Sequence, residues 1–243
     1  NKPAGLLVHS APVNPDAPTV VSWFLRFDEA VFESFPANDP NPGIVHRLDK
    51  ETSGVLLLAR SSEIRDQLAK AFRPEAVPPN AVTKEYVALC DGKPDQERAV
   101  IEAPLGRLQS GNRRLGVVSK GRHAETEYET VKVTDKNSLL HVKPYTGRTH
   151  QIRVHMDHID YPILGDQLYG GRLAFPKNLK EETREMLMSF KRQALHAFRL
   201  SFKHPSSEEM ISLTSPIPDD MESMIIALSD QDLDSQAINE FSY

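Results

Sequence analysis

The run SGVLLLAR, residues 53–60, is almost unbroken in its apolar character and predicts a buried strand. The segment behind it, SSEIRDQLAKAF, spaces its apolar residues as a helix does, with Ser61 or Ser62 as the cap. Alternating or β-branched stretches follow in VTKEYVALC, RRLGVVSK, HAETEYETVKVT and SLLHVKP, the pattern of a mostly antiparallel sheet. GRTHQIRVHMDHI places Ile152, Met156 and Ile159 at helical spacing, and a helix is predicted there. Beyond it the pattern predicts a helix at EETREMLMSFKRQ, strands at ALHAFRLSF and EMISLTS, and a last helix at DDMESMIIALS. The opening NKPAGLLVHS is short and strand-like, while residues 36–42 and the segment RPEAVPPN are loops rich in proline. No internal repeat appears, and the mixture of elements is α+β.

A chain of 243 residues with 39% hydrophobic content is long enough to bury a core as one large domain or two small ones. The longest apolar run, residues 55–59, is far short of the ~20 residues that cross a bilayer, and no signal peptide opens the chain. A soluble protein without a membrane partner is expected. The single cysteine, Cys90, excludes an internal disulfide and points to a reducing compartment, so the cytoplasm is the expected location.

Charge changes the picture once it is divided along the chain. Residues 1–203 hold all 29 Lys and Arg and 25 of the 34 Asp and Glu, a net of +4, while residues 204–243 carry nine acids and no Lys or Arg. This asymmetry is compatible with a body that binds a polyanion and an acidic C-terminal tail, and equally with a simple solvated tail.

The residues ahead of the buried run carry the candidate chemistry. His46, Arg47 and Asp49 stand on the loop entering the predicted strand, and loops mounted on rigid strands are common places for catalytic groups. A lone Asp in a loop is ordinarily a turn or capping residue. Arg47 two positions earlier and a second Arg-rich segment, GRTHQIR, ending at Arg153, change that balance. An aspartate near arginines is held ionised, which suits a nucleophile and ill suits a proton donor. One carboxylate without an evident partner also fits poorly with glycoside hydrolysis, which needs two.

Other constellations are weaker. His150, His155 and His158 have ligand chemistry, but residues 150 and 155 would lie about 140° apart on a helix, unlike the i, i+4 pair of HExxH, so no metal site is assigned. Gly43, Gly54 and the YGG at 169–171 match neither GxxxxGK[ST] nor GxGxxG, so no nucleotide cofactor is expected. Residues 103–124 contain Arg107, Arg113, Arg114, Lys120 and Arg122, with QSGNRR as a turn. This basic hairpin either neutralises nucleic-acid phosphates or is a solvated surface, and its place relative to the site decides which.

Six ordered motifs, NKPAGLLVH, HRLDKETSG, TKEYVAL, TGRTHQIRVHM, PILGDQLYGG and QALHAFRLSFKHP, together resemble the RluA family of RNA pseudouridine synthases over nearly the whole chain, from Asn1 to about Met224. The ending HPSSEEMISLTSPIPDDM looks most like the RluD branch, which acts on large-subunit ribosomal RNA. The resemblance implies a pseudouridine synthase fold: a long, mostly antiparallel mixed sheet flanked by helices, with a central active-site cleft. It implies Asp49 as the catalytic aspartate and Arg153 as its basic partner. It further implies Tyr86 as the ring stacked on the target base, Arg47 as an arginine holding the RNA open, and Leu195 as an apolar contact to the base. RNA is then the partner, and a monomer without a small-molecule cofactor is expected, since the isomerisation gains and loses no atoms. Many relatives of this branch carry an S4-type RNA-binding domain ahead of the catalytic domain. Because Asn1 already lies on the first motif, residues 1–243 are expected to be a catalytic domain lacking that upstream part, or to come from a relative without it. A transfer RNA synthase and a non-catalytic RNA-binding or folding factor are the rival readings.

Overall fold

The computed structural model describes all residues except 10–16, 28, 37–38, 40, 74, 77–79, 109–113, 135, 171–179 and 230–243. In chain order its elements are α1 (Val20–Phe27), α2 (Glu29–Glu33), β1 (Ser53–Gly54), α3 (Ser62–Ala71), β2 (Thr83–Asp91), β3 (Arg98–Glu102), β4 (Leu105–Arg107), β5 (Leu115–Val117), β6 (Glu125–Val133), β7 (Asn137–Pro144), α4 (Gln151–His158), α5 (Glu181–Ser189), β8 (Leu195–Lys203), β9 (Met210–Thr214) and α6 (Asp219–Ser229).

Seven strands form one mixed sheet in the order β1-β8-β2-β7-β6-β3, with β9 also paired to β8. Only the β1–β8 pair is parallel. The middle strands are the apolar ones: Val87, Ala88, Leu89 and Cys90 of β2 are all buried, as are Leu139, Leu140 and Val142 of β7. They pack against Ile152 and Met156 of α4, Leu187 of α5, and Met221, Met224 and Ile225 of α6, so the largest core lies between the sheet and these helices. A second core beneath α3 joins Leu68 to Val45, Val55, Val82, Leu200 and Phe202. β4 and β5 form a separate two-stranded ribbon.

The run SGVLLLAR departs from its prediction. Only Ser53 and Gly54 pair with β8, opposite His196 and Ala197, and Val55 N–H adds one bond to the Ala197 carbonyl. β9 occupies β8 from Arg199 to Lys203, so the run has no further edge to pair with and leaves the sheet. It turns back instead to bridge Leu58 with Ile44. The opening NKPAGLLVHS forms isolated bridges, Lys2 with Gly54 and Leu7 with Thr19, in place of a strand. Helices α1 and α2 and strand β3 are absent from the sequence-based prediction, whereas the antiparallel β4–β5 pair agrees with the hairpin expected over residues 103–124. A reciprocal cap between Thr19 and Ser22 starts α1. Residues 204–229 of the acidic C-terminal segment are built into the fold through β9 and α6, with Met221, Met224, Ile225 and Leu228 in the core. Ser61 is the cap of α3, its Oγ accepting from Ile64 N–H.

Candidate active site

Residues 46–52 form a loop that the fold pins from several sides. Lys2, 3% exposed, sends its ammonium to the carbonyls of Pro3, Leu6 and Lys50. Gly5 N–H also bonds the Lys50 carbonyl, and Thr52 N–H bonds that of Asp49. Burial lowers Lys2 to about 8 against the pull of Glu51 and Asp49. The loop's exit passes through Gly54, whose φ of +117° and close seat on β8 require glycine, since a Cβ there would lie 2.1 Å from the Ala197 carbonyl oxygen. His46, which the sequence groups with Arg47 and Asp49 as candidate chemistry, is neutral. Its Nε2 accepts from Leu57 N–H at 2.9 Å, and its ring stacks on Phe72 at 4.5 Å. Burial, with Lys84 nearby, pushes it down to about 3, so it stays neutral and acts as a clamp.

Asp49 meets Arg153 across the chain. Arg153, buried on α4, donates from Nη1 to Asp49 Oδ2 at 2.9 Å. Its Nε and Nη2 donate to Asp166 Oδ2 and Oδ1 at 2.6 and 2.9 Å. Asp166 is fully buried and also accepts from the N–H groups of Leu168 and Tyr169. Burial pushes its pKa up, but the Arg153 bonds and charge and these two N–H groups outweigh burial and leave it lowered. The Tyr169 ring lies under the Arg153 guanidinium at 5.0 Å, and its hydroxyl meets His150 Nδ1 at 3.0 Å. His150, at φ 55°, starts α4 in the left-handed conformation. Its pKa is lowered, burial outweighing the pull of Asp49, so it is neutral, with Nε2 3.9 Å from Asp49 Oδ1. One oxygen of Asp49 is thus tied to Arg153 and the other lies near His150, in a residue that lines the cleft.

That cleft, of about 300 Å³, is lined by Asp49, Arg153, Tyr86, Leu195, Arg47 and Lys84 among others. The register of β2 against β8 shifts between Glu85 and Tyr86, a bulge of the kind that re-aims a side chain beside an active site. Tyr86 keeps its proton, because burial and the Asp49 charge both raise its pKa. Leu195 is buried in the same wall, and Arg47 stands exposed at the mouth. Gln151 braces the adjoining loop through bonds to Thr146, Arg148 N–H, the Glu125 carbonyl and Thr126. Such a site presents one reactive carboxylate oxygen to a planar ring resting against an aromatic and an aliphatic side chain.

The five cleft residues singled out from the sequence, Asp49, Arg153, Tyr86, Arg47 and Leu195, therefore come together from four separate chain segments. The basic hairpin does not behave as one unit. Arg107, Lys120 and Arg122 are exposed. Arg114 donates to Asp157 Oδ2 at 2.9 Å and lies over the Tyr169 ring at 5.1 Å, so it braces α4. Arg113 and the QSGN turn lie outside the described residues. The three clustered histidines occupy three environments: His150 in the cleft, His158 exposed, and His155 buried with both ring nitrogens engaged, by Thr126 Oγ1 and the Ala103 carbonyl. Among the described residues no group of three His, Cys, Asp or Glu is arranged to hold a metal ion. Asp166 and Gln151 escaped the sequence reading, although both sit inside quoted motifs.

Comparison with known proteins gives concordant matches. Residues 1–158 match the family described as RNA pseudouridylate synthase. Ribosomal large subunit pseudouridine synthase D of Vibrio cholerae is 38% identical over 228 residues, 94% of this chain and 67% of the relative. The protein of the same description from Haemophilus influenzae is 37% identical over 236 residues, 97% of this chain and 69% of the relative. This chain thus spans about two thirds of the length of these relatives. Among solved structures, human RNA pseudouridylate synthase domain containing 4 superposes with a TM-score of 0.65 at 28% identity, covering 93% of this chain and 87% of that one.

Proposed function

This chain belongs to the RNA pseudouridylate synthase family, and from that premise we propose that it isomerises particular uridines of large-subunit ribosomal RNA to pseudouridine, with Asp49 as the group that acts on a flipped-out nucleotide. The observation that carries the reading is the Asp49 carboxylate held by buried Arg153 at the wall of a cleft that it lines together with Tyr86 and Leu195. The reaction breaks the bond from uracil N1 to ribose C1′ and joins C5 to the same carbon. A proton leaves C5 and one is taken up at N1, so atoms and electrons balance without a redox or phosphate cofactor. Asp49 acts either on the ribose or on the base ring, and both routes need an ionised carboxylate.

Extruding a stacked uridine costs a few kcal/mol, which stacking on the Tyr86 ring and contacts from Arg47 offset. The relatives named for the ribosomal large subunit support that RNA as substrate. In this reading the catalytic domain works as a monomer in the cytoplasm. Among the described residues no helix is long and apolar enough to cross a membrane.

Release of tritium from C5-labelled uridine in large-subunit ribosomal RNA, followed by mapping of the modified positions, tests the assignment. Loss of a transfer RNA pseudouridine alone in cells lacking the protein would reassign the substrate. Tight RNA binding without tritium release would leave only a binding or folding factor.

A further inference from the structure

The cleft also holds two cations to which the isomerisation assigns no role. Lys84 lies on β2 two residues before Tyr86, half-buried, and donates from Nζ to the Thr146 carbonyl oxygen at 3.0 Å. Arg148, on the loop that Gln151 braces, donates from Nε to the His123 carbonyl oxygen at 2.9 Å. Both side chains line the cleft together with Asp49 and Tyr86. Main-chain carbonyls supply these two cations with dipoles but no countercharge.

The contrast with the buried arginines is informative. Arg153 is paired with Asp166 and Asp49, and Arg192 with both oxygens of Asp220. Lys84 has no such acid among the described residues: burial first, and Arg148 after it, lower it to about 8. Burial and Arg122 lower Arg148, and Glu75 offsets only part. Two like charges held in one half-buried wall repel, and a bound anion relieves both the repulsion and the lost solvation. Among the described residues Lys84 spends one of its three donors and Arg148 only its Nε, leaving a point charge beside a planar fork, which suits the tetrahedral oxygens of a phosphate. Arg122 extends the positive line toward the β4–β5 ribbon.

We propose that Lys84 and Arg148 form a phosphodiester-binding subsite that grips one backbone phosphate adjoining the flipped-out uridine. The subsite rests on the reading of the cleft as an RNA site and adds to it the residues that fix the strand while the base turns. It also accounts for a lysine inside a pocket whose chemistry needs only a carboxylate, an arginine and a ring.

The test pairs protein and RNA changes. Synthetic stem-loops of large-subunit ribosomal RNA, each with one neutral methylphosphonate at a successive position around the target uridine, are titrated against wild type and a Lys84→Met/Arg148→Gln variant, with thermal melts to confirm folding. In wild type one position should weaken binding by about tenfold, the size of a lost charge-assisted contact. In the variant that position should lose its effect while the others keep theirs. Lys84→Arg, which retains the charge, should keep the wild-type response. A wild type indifferent to every replacement, or a variant that keeps the full loss at each position, overturns the subsite. Pseudouridine yield is scored on the same RNAs, so binding that follows the expected pattern without conversion would sink the enzymatic reading and leave the subsite standing.

Discussion

Asp166 takes two of the three N–H groups that Arg153 turns toward carboxylates, at 2.6 and 2.9 Å, and leaves one, Nη1, for Asp49. This division fixes the guanidinium plane from the buried side, so Arg153 orients Asp49 without enclosing it. An arginine free to rotate could take both oxygens of Asp49 as a fork.

Asp49→Asn should abolish pseudouridine formation while RNA affinity stays largely intact. The amide keeps the shape but loses the charge that a nucleophile or base requires, and affinity comes mainly from phosphate contacts and ring stacking. Turnover and affinity measured on the same folded protein decide it. Product beyond what slow deamidation to Asp supplies would remove Asp49 from the mechanism.

Asp166→Asn should destabilise the fold by roughly 3 to 5 kcal/mol, because it leaves a buried guanidinium short of one carboxylate. In protein that remains folded, kcat should drop on the order of tenfold with KM little changed, since Asp166 positions Asp49 and touches no substrate. A melt curve and a KM-against-kcat split check both. Unchanged kcat in a folded variant would mean that the Asp49 geometry does not depend on Asp166.

Replacing Arg107 and Arg122 with Ala should flatten the slope of log affinity against log salt by about 0.7 to 0.9 per lost phosphate contact. Both are exposed on or beside the ribbon. Arg114→Ala should act differently, costing about 1 kcal/mol of stability through its contacts with Asp157 and Tyr169. Salt titrations of both variants, with melts, separate the two roles, and an unchanged slope for Arg107 and Arg122 would make the ribbon a solvated surface.

His46 predicts an acid-side loss of stability. The unfolded chain takes up this proton near pH 6.5, whereas the folded ring resists to about 3. The contribution is therefore complete above pH 6.5 and declines as pH falls toward 3, by about 2 kcal/mol at pH 5. His9, His150, His155 and His196 are lowered by burial as well, so the difference from His46→Gln isolates the effect. The Gln variant, which offers Leu57 N–H an acceptor without a titration, should lose less stability than wild type between pH 7 and 5.

Local chemistry was legible wherever one segment decides it alone. Ser61 as cap, the helical spacing of Ile152 and Met156, and the strand pattern of β2 depend on neighbours within a few residues, and the structure keeps them. The family motifs likewise pointed to Asp49, Tyr86 and Arg153 before any contact was known. What the chain could not show by itself was competition between distant segments. SGVLLLAR has strand composition, but β9 already holds the edge of β8 that it would need. His46 stands in a row of charged residues, yet Phe72 and Leu57 make it a neutral clamp. Asp166 was invisible as a site residue because its partner is 13 positions away and its role exists only through Arg153. Burial, pairing and edge occupancy are properties of the assembled molecule: each depends on which distant group arrives first at a given donor, acceptor or surface, and that is decided by the tertiary fold.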